Sequence, residues 1–427
     1  MAILQYNGAY LAYGGSWVDC DPYALPRYTM RFQFSDASYN PTTSGETWKS
    51  EAVWTQVSSS PNVWDYTRDD HNWSKEFELK FTDENSNLVN VLGANIYGVT
   101  DAAQLFSGDD AIYNINLFDT STVTNFYEAF MGVPVYIIPA FDTSSATDVS
   151  RFLANTKIST LPAFDFSNVT NASGAFMNTG ITSCPEFDIS SITNMNYMFS
   201  GCNQLTSVPS TWDTSSIEYM EGLFNNCTKL VNPPALDTRS AVSLRYYFAN
   251  CKSMVTAPMQ DTSSATTTES MFEGCTSLTS VPLYDTANVT NMESMFSGCI
   301  AITSLPLFNT SKVTNMLGML ENCYKLTSAP LYDTSKVTTM EHMMEGCHSV
   351  TSIPYYDTSS VVNVNYAFKD CWNVSDGSYN LYSRMQWQAN PPSSHRGTFQ
   401  DCGRDTTAGA AQLAKIPSSW GGAGTDY

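Results

Sequence analysis

Apolar and polar residues follow one another in this chain in a pattern that returns every 23 to 25 residues. In the stretch LTSVPLYDTANVTNMESMFSGC, the first apolar positions have the spacing L-x-x-L-x-L. This spacing predicts a short strand with Leu278, Val281 and Leu283 directed inward. A polar turn then begins at Asp285. The next apolar residues are three and four apart, which predicts one face of a short helical segment: Val289, Met292, Met295 and Phe296.

The acidic residue of the D-T-S triplet marks eleven copies of this unit between Asp119 and Asp357, Asn309 replacing the acid once. A single copy cannot cover its own apolar side, whereas stacked copies bury a continuous core. The sequence therefore predicts a repeat solenoid, similar to leucine-rich repeats, of short parallel strands and short helical segments. We assign residues 111–371 to it.

The first part of the chain does not follow the repeat. Residues 1–86 are rich in Trp and Tyr, and two segments alternate as half-buried strands do. One has Tyr28, Met30, Phe32 and Phe34 on one face, and the other has Phe77, Leu79 and Phe81. We predict a small β-rich domain there, which anchors the protein, followed by an N-terminal capping coil over residues 87–110.

The period breaks again after Cys371. Residues 372–427 are assigned to a C-terminal cap, because solenoids need their end coils covered. Within this cap, Phe399 and Cys402 belong to a degenerate last repeat. The run from Ala408 to Lys415 predicts a short helix that ends before Pro417.

The unit LTSxP…DTSxVTNMxxMFxGC resembles the BspA-like leucine-rich repeats of bacterial surface proteins, in which an A-F-x-x-C element takes the place of M-F-x-G-C. The resemblance is clear over residues 200–371 and is recognisable from residue 105. It implies a right-handed solenoid with a parallel sheet on one face. It also implies an adhesive protein that is not an enzyme and that binds a host protein or glycan.

A second resemblance concerns the order of the parts. The leader with NVWDYT, the repeats and the ending IPSSWG are similar to structural proteins of tailed phages of gut bacteria. This implies a head or tail fibre or a decoration protein, attached to other virion proteins through its N-terminal domain and forming a dimer or trimer. The alternative is a bacterial cell-surface adhesin of the same repeat family.

The net charge and the length of the apolar segments limit the kinds of partner that we expect. The net charge of −21 disfavours nucleic acid and anionic membranes. No segment has the apolar length of a membrane span. The N-terminus lacks the basic and apolar regions of a signal peptide, so we expect a protein made in the host cytoplasm and placed on the virion surface.

Eight cysteines, from Cys202 to Cys371, recur with the repeat. A periodic Cys predicts a buried small side chain that stacks from coil to coil. Disulfides or metal thiolates are the alternative, although no C-x-x-C pair occurs.

The acids of the turns form the first candidate site: Asp213, Asp237, Asp261, Asp285, Asn309, Asp333 and Asp357. Each side chain can accept backbone N–H bonds in its own turn, which favours its ionised form. The alternative is a row of weak Ca²⁺ sites between coils, since this ion prefers oxygen ligands. We expect no other cofactor and no other metal.

The residue before each acid is aromatic in nine of eleven copies. If Leu283 points inward, the aromatic residue points outward and forms a stripe that suits sugar or protein contacts. In the competing register the rings pack in the core where the coil bends. The candidate stripe comprises Trp212, Tyr284, Phe308, Tyr332 and Tyr356.

Catalytic motifs are missing from the sequence. The four His residues form no metal-binding spacing, and no glycine-rich phosphate loop occurs. We therefore predict no catalytic residues and no enzyme activity. A glycan-degrading activity is the lesser alternative.

Overall fold

The structure is a computed structural model that describes residues 98–110 and 112–425, preceded by six strands between residues 5 and 95. It divides into two compact units, Met1–Ile192 and Thr193–Tyr427, each of which is described by itself.

The first unit contains two sheets. Strands β1 (Gln5–Tyr6) and β2 (Ala9–Tyr10) form an antiparallel pair. The larger sheet has the order β4-β5-β3-β6-β7, and all its neighbours are antiparallel except β6 and β7. Its strands are β3 (Thr29–Phe34), β4 (Val53–Gln56), β5 (Val63–Thr67), β6 (Val89–Asn95) and β7 (Ile112–Ile115).

Strand β3 confirms the predicted alternation. Met30 and Phe32 are buried, whereas Arg31 and Gln33 are partly exposed. The second predicted strand, with Phe77, lies outside the described residues. The strands of the larger sheet extend on both sides of residue 87, where the sequence suggests a domain boundary.

Repeating coils form most of the described chain. In the first unit, parallel backbone bridges link Asp101, Asn125, Asp148 and Asn171 in turn. In the second unit the same position is bridged from Asn194 through Tyr219 and on to Ser394. These are bridges of single residues, and they lie in the segment after the turn. In the segment predicted as a strand, the bridges found among the described residues are Thr256 to Ser280 and Ser352 to Asp376, so no continuous strand forms there. The repeat solenoid is nevertheless present within each unit.

The predicted helical segments are wrong. In the coil that contains Phe296, Ser294 has a φ of 52° and Gly298 a φ of 72°, and an α-helix tolerates neither. Alternate N–H groups instead donate to carbonyls of the next coil at 2.8 to 3.0 Å: Met292 to Asn315, Ser294 to Leu317, Phe296 to Met319 and Gly298 to Glu321. The apolar spacing of three and four arises because two consecutive tight turns place the same positions inward.

Buried threonines add further links between coils. The Thr286 hydroxyl donates to the carbonyl of Asn309 at 2.8 Å, and the Thr334 hydroxyl donates to that of Asp357 at 2.7 Å. Between coils of the second unit the core is a stack of rings, in which the centroids of Phe248, Phe272 and Phe296 follow one another at 5.8 and 5.6 Å.

The periodic cysteines are buried and free, which confirms the stacking prediction. The seven thiols from Cys227 to Cys371 also donate a hydrogen bond to a carbonyl of the preceding coil. The Cys299 Sγ lies 3.1 Å from the carbonyl oxygen of Phe272, and the Cys323 Sγ lies 3.2 Å from that of Phe296. Burial raises the pKa of Cys275 and Cys347 to about 12.

The C-terminal residues contain the α-helices of the described chain, α1 (Ser378–Trp387) and α2 (Thr407–Leu413), and a 3-10 helix at Ser418–Trp420. Helix α2 confirms the predicted helix, and the Thr406 hydroxyl caps its N-terminus by accepting the N–H of Gly409 at 2.9 Å. No helix in the described residues has the length and apolar character needed to cross a bilayer.

Candidate binding face

The predicted outward aromatic stripe lies in the core. Trp212, Tyr284, Phe308, Tyr332 and Tyr356 are each at most 6% exposed. The register that placed them outward is therefore wrong, and the competing register, with the rings in the core, is correct. We call these five residues the inner aromatic row.

The three tyrosines of this row reach polar partners despite their burial. Their hydroxyls donate to the carbonyl of a proline in the preceding coil, which satisfies the only polar atom of each side chain. The hydroxyl-to-oxygen distances are 2.9 Å from Tyr284 to Pro258, 3.3 Å from Tyr332 to Pro306 and 3.0 Å from Tyr356 to Pro330.

A three-residue turn before the acid reverses the predicted faces. The N–H of Phe308 donates to the carbonyl of Pro306 at 3.1 Å, so the turn is centred on Leu307. Such a turn directs its central side chain outward and the following ring inward. The same bond recurs from Tyr332 to Pro330 at 3.0 Å.

The residues at the position of Leu307 in successive coils form an exposed apolar row, which we call the outer stripe. It comprises Met259, Leu283, Leu307, Leu331 and Tyr355, which are between 58% and 67% exposed. The prediction that Leu283 points inward is wrong, and Val281 is only partly buried. Contiguous exposed apolar side chains of this kind mark interaction surfaces in soluble proteins.

Polar rows run on both sides of the outer stripe. Two residues after each stripe member stands an exposed acid or its substitute: Asp261, Asp285, Asn309, Asp333 and Asp357. Three residues before four of its members stands an exposed serine: Ser280, Ser304, Ser328 and Ser352. The stripe is thus bordered by carboxylates on one side and hydroxyls on the other.

Helix α1 lies at the C-terminal end of the outer stripe. The guanidinium carbon of Arg384 is 3.4 Å from the centroid of the Tyr355 ring, and its Nη1 donates to the carbonyl of Tyr356 at 3.0 Å. Trp387, the last residue of α1, is 79% exposed.

The turn acids accept hydrogen bonds within their own turns, as the first interpretation predicts. In every member from Asp213 to Asp357, Oδ1 accepts the N–H of the residue two positions on at 2.9 to 3.1 Å. In Asp213, Asp261 and Asp333 the residue two positions on is a serine, and bonds from its side chain and its backbone lower the pKa of the acid. In Asp237 the largest cause of the lowered pKa is the Arg239 side chain.

The tight turns carry a second set of acids, which neighbouring coils hold in place. The Asn291 amide donates to Glu269 at 3.1 Å, and the Asn315 amide donates to Glu293 at 2.9 Å. Glu321 differs, because burial raises the pKa of its carboxyl group. These acids are largely committed to contacts between coils.

A column of stacked rings follows the cysteines. The His348 ring lies between Tyr324 and Trp372, with centroid distances of 4.7 and 3.6 Å, and Arg404 covers Trp372. The rings in this column cover one another's faces. Burial lowers the pKa of His348.

Within the described part of the chain, no group of three or more His, Cys, Asp or Glu side chains is placed to hold a metal ion. The candidate face therefore offers apolar contact, carboxylates and hydroxyls. This chemistry is suited to binding a macromolecule.

The sequence contains a signal for the outer stripe that the strand interpretation missed. All five members follow a proline and precede an inward residue, as in Pro306-Leu307-Phe308. Proline lacks an N–H and interrupts a strand, so a regular alternation should not be carried across it.

The chain is similar to known proteins in two comparisons. The solved structure of a leucine-rich repeat protein from Eubacterium ventriosum matches with 19% sequence identity and a TM-score of 0.42, covering 68% of this chain and 78% of that one. Among curated proteins no significant match was found.

A family model described as "Mycoplasma protein of unknown function, DUF285" matches residues 75–182, 152–260, 242–352 and 329–403. These overlapping matches follow the repeat through most of the chain and support its BspA-like character. The chain therefore belongs to the DUF285 family.

Proposed function

We propose that this protein is a non-enzymatic adhesion protein that attaches to a host surface through its outer stripe. The exposure of Leu283, Leu307 and Leu331 carries the proposal. Fully burying a side chain of this size is worth about 1.5 to 3 kcal/mol, so a partner that covers the row gains substantial free energy.

The position of these side chains in the repeat supports a binding role. The neighbouring residues of each coil are committed: the inner aromatic row fills the core, and the turn acids fix the turns. Of the outer stripe, Tyr355 contacts Arg384, whereas Met259 and the three leucines are mainly exposed, and an apolar residue recurs at this position in five successive coils. A row of this length suits an extended macromolecule, such as a host surface protein or glycan.

Binding to cells tests this proposal. Fluorescently labelled protein is added to a panel of gut bacterial isolates, and bound fluorescence is measured by flow cytometry. We expect binding to a subset of isolates and its loss in the double variant Leu307→Ser/Leu331→Ser. The matched control is Val242→Ser/Val362→Ser, which changes two exposed apolar residues outside the stripe. Equal binding by both double variants would refute the proposed role of the stripe.

We further propose that the protein is a head or tail fibre or a decoration protein of a tailed phage, held on the virion by its N-terminal part and assembled as a dimer or trimer. The resemblance of the leader and the ending to phage structural proteins supports this assignment. Immunogold labelling of purified virions should decorate the particle surface. Labelling of uninfected cells alone would contradict it.

A bacterial cell-surface adhesin is the second candidate. The description of the matching family, which refers to Mycoplasma, favours it. Surface labelling of the bacterium that carries the gene, in the absence of phage particles, would support this alternative.

A further inference from the structure

We infer that the outer stripe is a docking site for an extended, cationic polypeptide segment. The inference rests on the proposed function, since it specifies the partner of the same face. Three observations support it: the exposed apolar row, the spacing of the rings directly after the stripe residues, and the carboxylates that border the row.

The spacing selects an extended partner. The ring centroids of the residues directly after the stripe members are 6.4 Å apart between Tyr284 and Phe308 and 6.2 Å apart between Phe308 and Tyr332, which is wider than the 5.6 Å between Phe272 and Phe296 elsewhere in the core. Side chains on one face of a β-strand recur at about 6.6 Å. Successive turns of an α-helix recur at about 5.4 Å. An extended segment can therefore place alternate side chains on successive stripe residues without losing register.

The charge selects a cationic partner. Exposed carboxylates border the stripe at Asp261, Asp285, Asp333 and Asp357. Bonds from the serine two residues on keep the pKa of Asp261, Asp333 and Asp357 low, so these groups stay ionised. Their Oδ1 atoms bond within the turn, which leaves the second oxygen of each carboxylate available to a partner.

Basic side chains of this chain offset that row only in part: attraction to Arg239, Lys336 and Arg384 helps to lower the pKa of Asp261, Asp333 and Asp357, respectively, but it is a smaller cause there than the bonds within each turn. Lys312 and Lys336 stand three residues beyond Asn309 and Asp333, and the Lys312 Nζ donates to Asn288 at 2.7 Å. Arg384 is engaged with Tyr355 at the end of the stripe. A lysine of the partner has a long flexible stem, so its ammonium can reach the carboxylates while neighbouring residues cover the stripe.

Self-association through this face is disfavoured. A second copy would bring an identical row of carboxylates against the first, and each chain has a net charge of −21. The proposed partner alternates apolar and basic side chains, whereas the outer stripe is bordered by acidic ones.

Synthetic peptides test the inference with the full-length protein. The probe is a short capped peptide in which leucine and lysine alternate, and binding is measured by fluorescence anisotropy at low salt. We expect saturable binding that weakens at least tenfold when serine replaces every leucine, and that disappears when glutamate replaces every lysine. A peptide of the same composition with helical periodicity should bind at least fivefold more weakly.

The same two double variants locate the site. Leu307→Ser/Leu331→Ser should weaken binding of the alternating peptide at least tenfold, whereas Val242→Ser/Val362→Ser should leave it unchanged. Thermal unfolding of both variants verifies that each is folded. Equal binding of the helical isomer, or peptide binding that survives in the stripe variant, would overturn the inference. So would a dimer of the wild-type protein that the stripe variant abolishes.

The cell-binding experiment separates this inference from the proposed function. If the protein binds cells through the stripe but binds none of the peptides, the partner has another chemistry: the proposed function stands and the inference fails. If it binds the peptides through the stripe but no cell, the inference stands and the proposed host-surface role fails.

Discussion

The hydroxyl of Tyr356 donates a hydrogen bond to the carbonyl of Pro330, one coil back, at 3.0 Å. This bond joins the inner aromatic row of one coil to the turn that presents Leu331 in the preceding one. The core and the outer stripe are therefore mechanically connected, and the order of the stripe depends on packing beneath it.

Replacing Tyr356 with Phe should remove this bond while keeping the ring. We expect a loss of about 1 kcal/mol in the free energy of unfolding, since the carbonyl of Pro330 loses its donor. Urea denaturation measures the change. The matched control is Phe308→Tyr, which adds a hydroxyl at the equivalent position of a coil that lacks one and should not destabilise. A Tyr356→Phe variant as stable as the wild type would contradict a stabilising role for the bond.

Gly222 should not tolerate a larger residue. It has a φ of 58°, and a Cβ atom there would lie 2.2 Å from Cε1 of Tyr197 in the preceding coil. The left-handed backbone alone costs about 1 to 2 kcal/mol for a residue with a Cβ. We expect Gly222→Ala to lower the melting temperature and Tyr197→Ser in the same chain to restore part of the loss. Additive effects in this double-mutant cycle would show that the ring is not the obstacle.

The periodic cysteines should not react with alkylating reagents in the folded protein. Burial raises the pKa of the seven cysteines from Cys227 to Cys371, to about 12 for Cys275 and Cys347, so little thiolate forms at pH 8. We expect iodoacetamide to label none of the buried cysteines until denaturant is added, as measured by peptide mass spectrometry. The same protein labelled in denaturant serves as the comparison. Rapid labelling of Cys299 in the native state would contradict its burial.

Acid should destabilise the protein through the turn acids. The folded-state pKa of Asp213, Asp261 and Asp333 is lowered, so their contribution is present above the unfolded pKa and is lost as the pH falls through the folded one. We therefore expect stability to decline below about pH 4.

The natural Asn309 suggests the variant that tests this expectation. Its Oδ1 accepts the N–H of Ser311 at 3.1 Å, so an amide can replace the acid in the turn. Asp333→Asn should fold with the same turn, be slightly less stable than the wild type at neutral pH because it lacks the ionised carboxylate, and lose less stability on acidification. An unchanged acid dependence in urea titrations would speak against the contribution of this carboxylate.

Chelation separates the two interpretations of the turn acids. Since each Oδ1 already accepts a hydrogen bond inside its turn, we expect excess EGTA to leave the melting temperature unchanged. Adding Ca²⁺ should likewise have no effect. A clear drop with EGTA that Ca²⁺ reverses would establish calcium between the coils.

The sequence was sufficient to predict the repeat, the buried cysteines, the turns at Asp213 to Asp357 and helix α2. These features depend on local chemistry or on strict periodicity, and both can be read from residue types. An Asp that accepts the N–H two residues on needs nothing from the rest of the fold. A Cys that recurs with the repeat must stack on its own copies.

The conformation of the segments predicted as helical and the direction of Leu283 could not be predicted from residue types and periodicity. Residues three and four apart share a face in a helix, and also in two consecutive tight turns, so the spacing at Met292, Met295 and Phe296 fits both. The next coil determines which of the two conformations forms, because its carbonyls accept the N–H groups that would otherwise bond within a helix. Likewise, the turn centred on Leu307 exchanges inward and outward faces, although strict alternation would place Phe308 outside.

By itself, therefore, the sequence determined that the coils repeat, where they turn and which small residues stack. Only the tertiary structure decided which side of each coil faces water, because that choice depends on bonds between coils, such as the one from the N–H of Leu320 to the carbonyl of Met343, and on turn bonds such as the one from Phe308 to Pro306. The three-residue turns centred on Leu307 and Leu331 place the rings of Phe308 and Tyr332 in the core and leave the two leucines exposed.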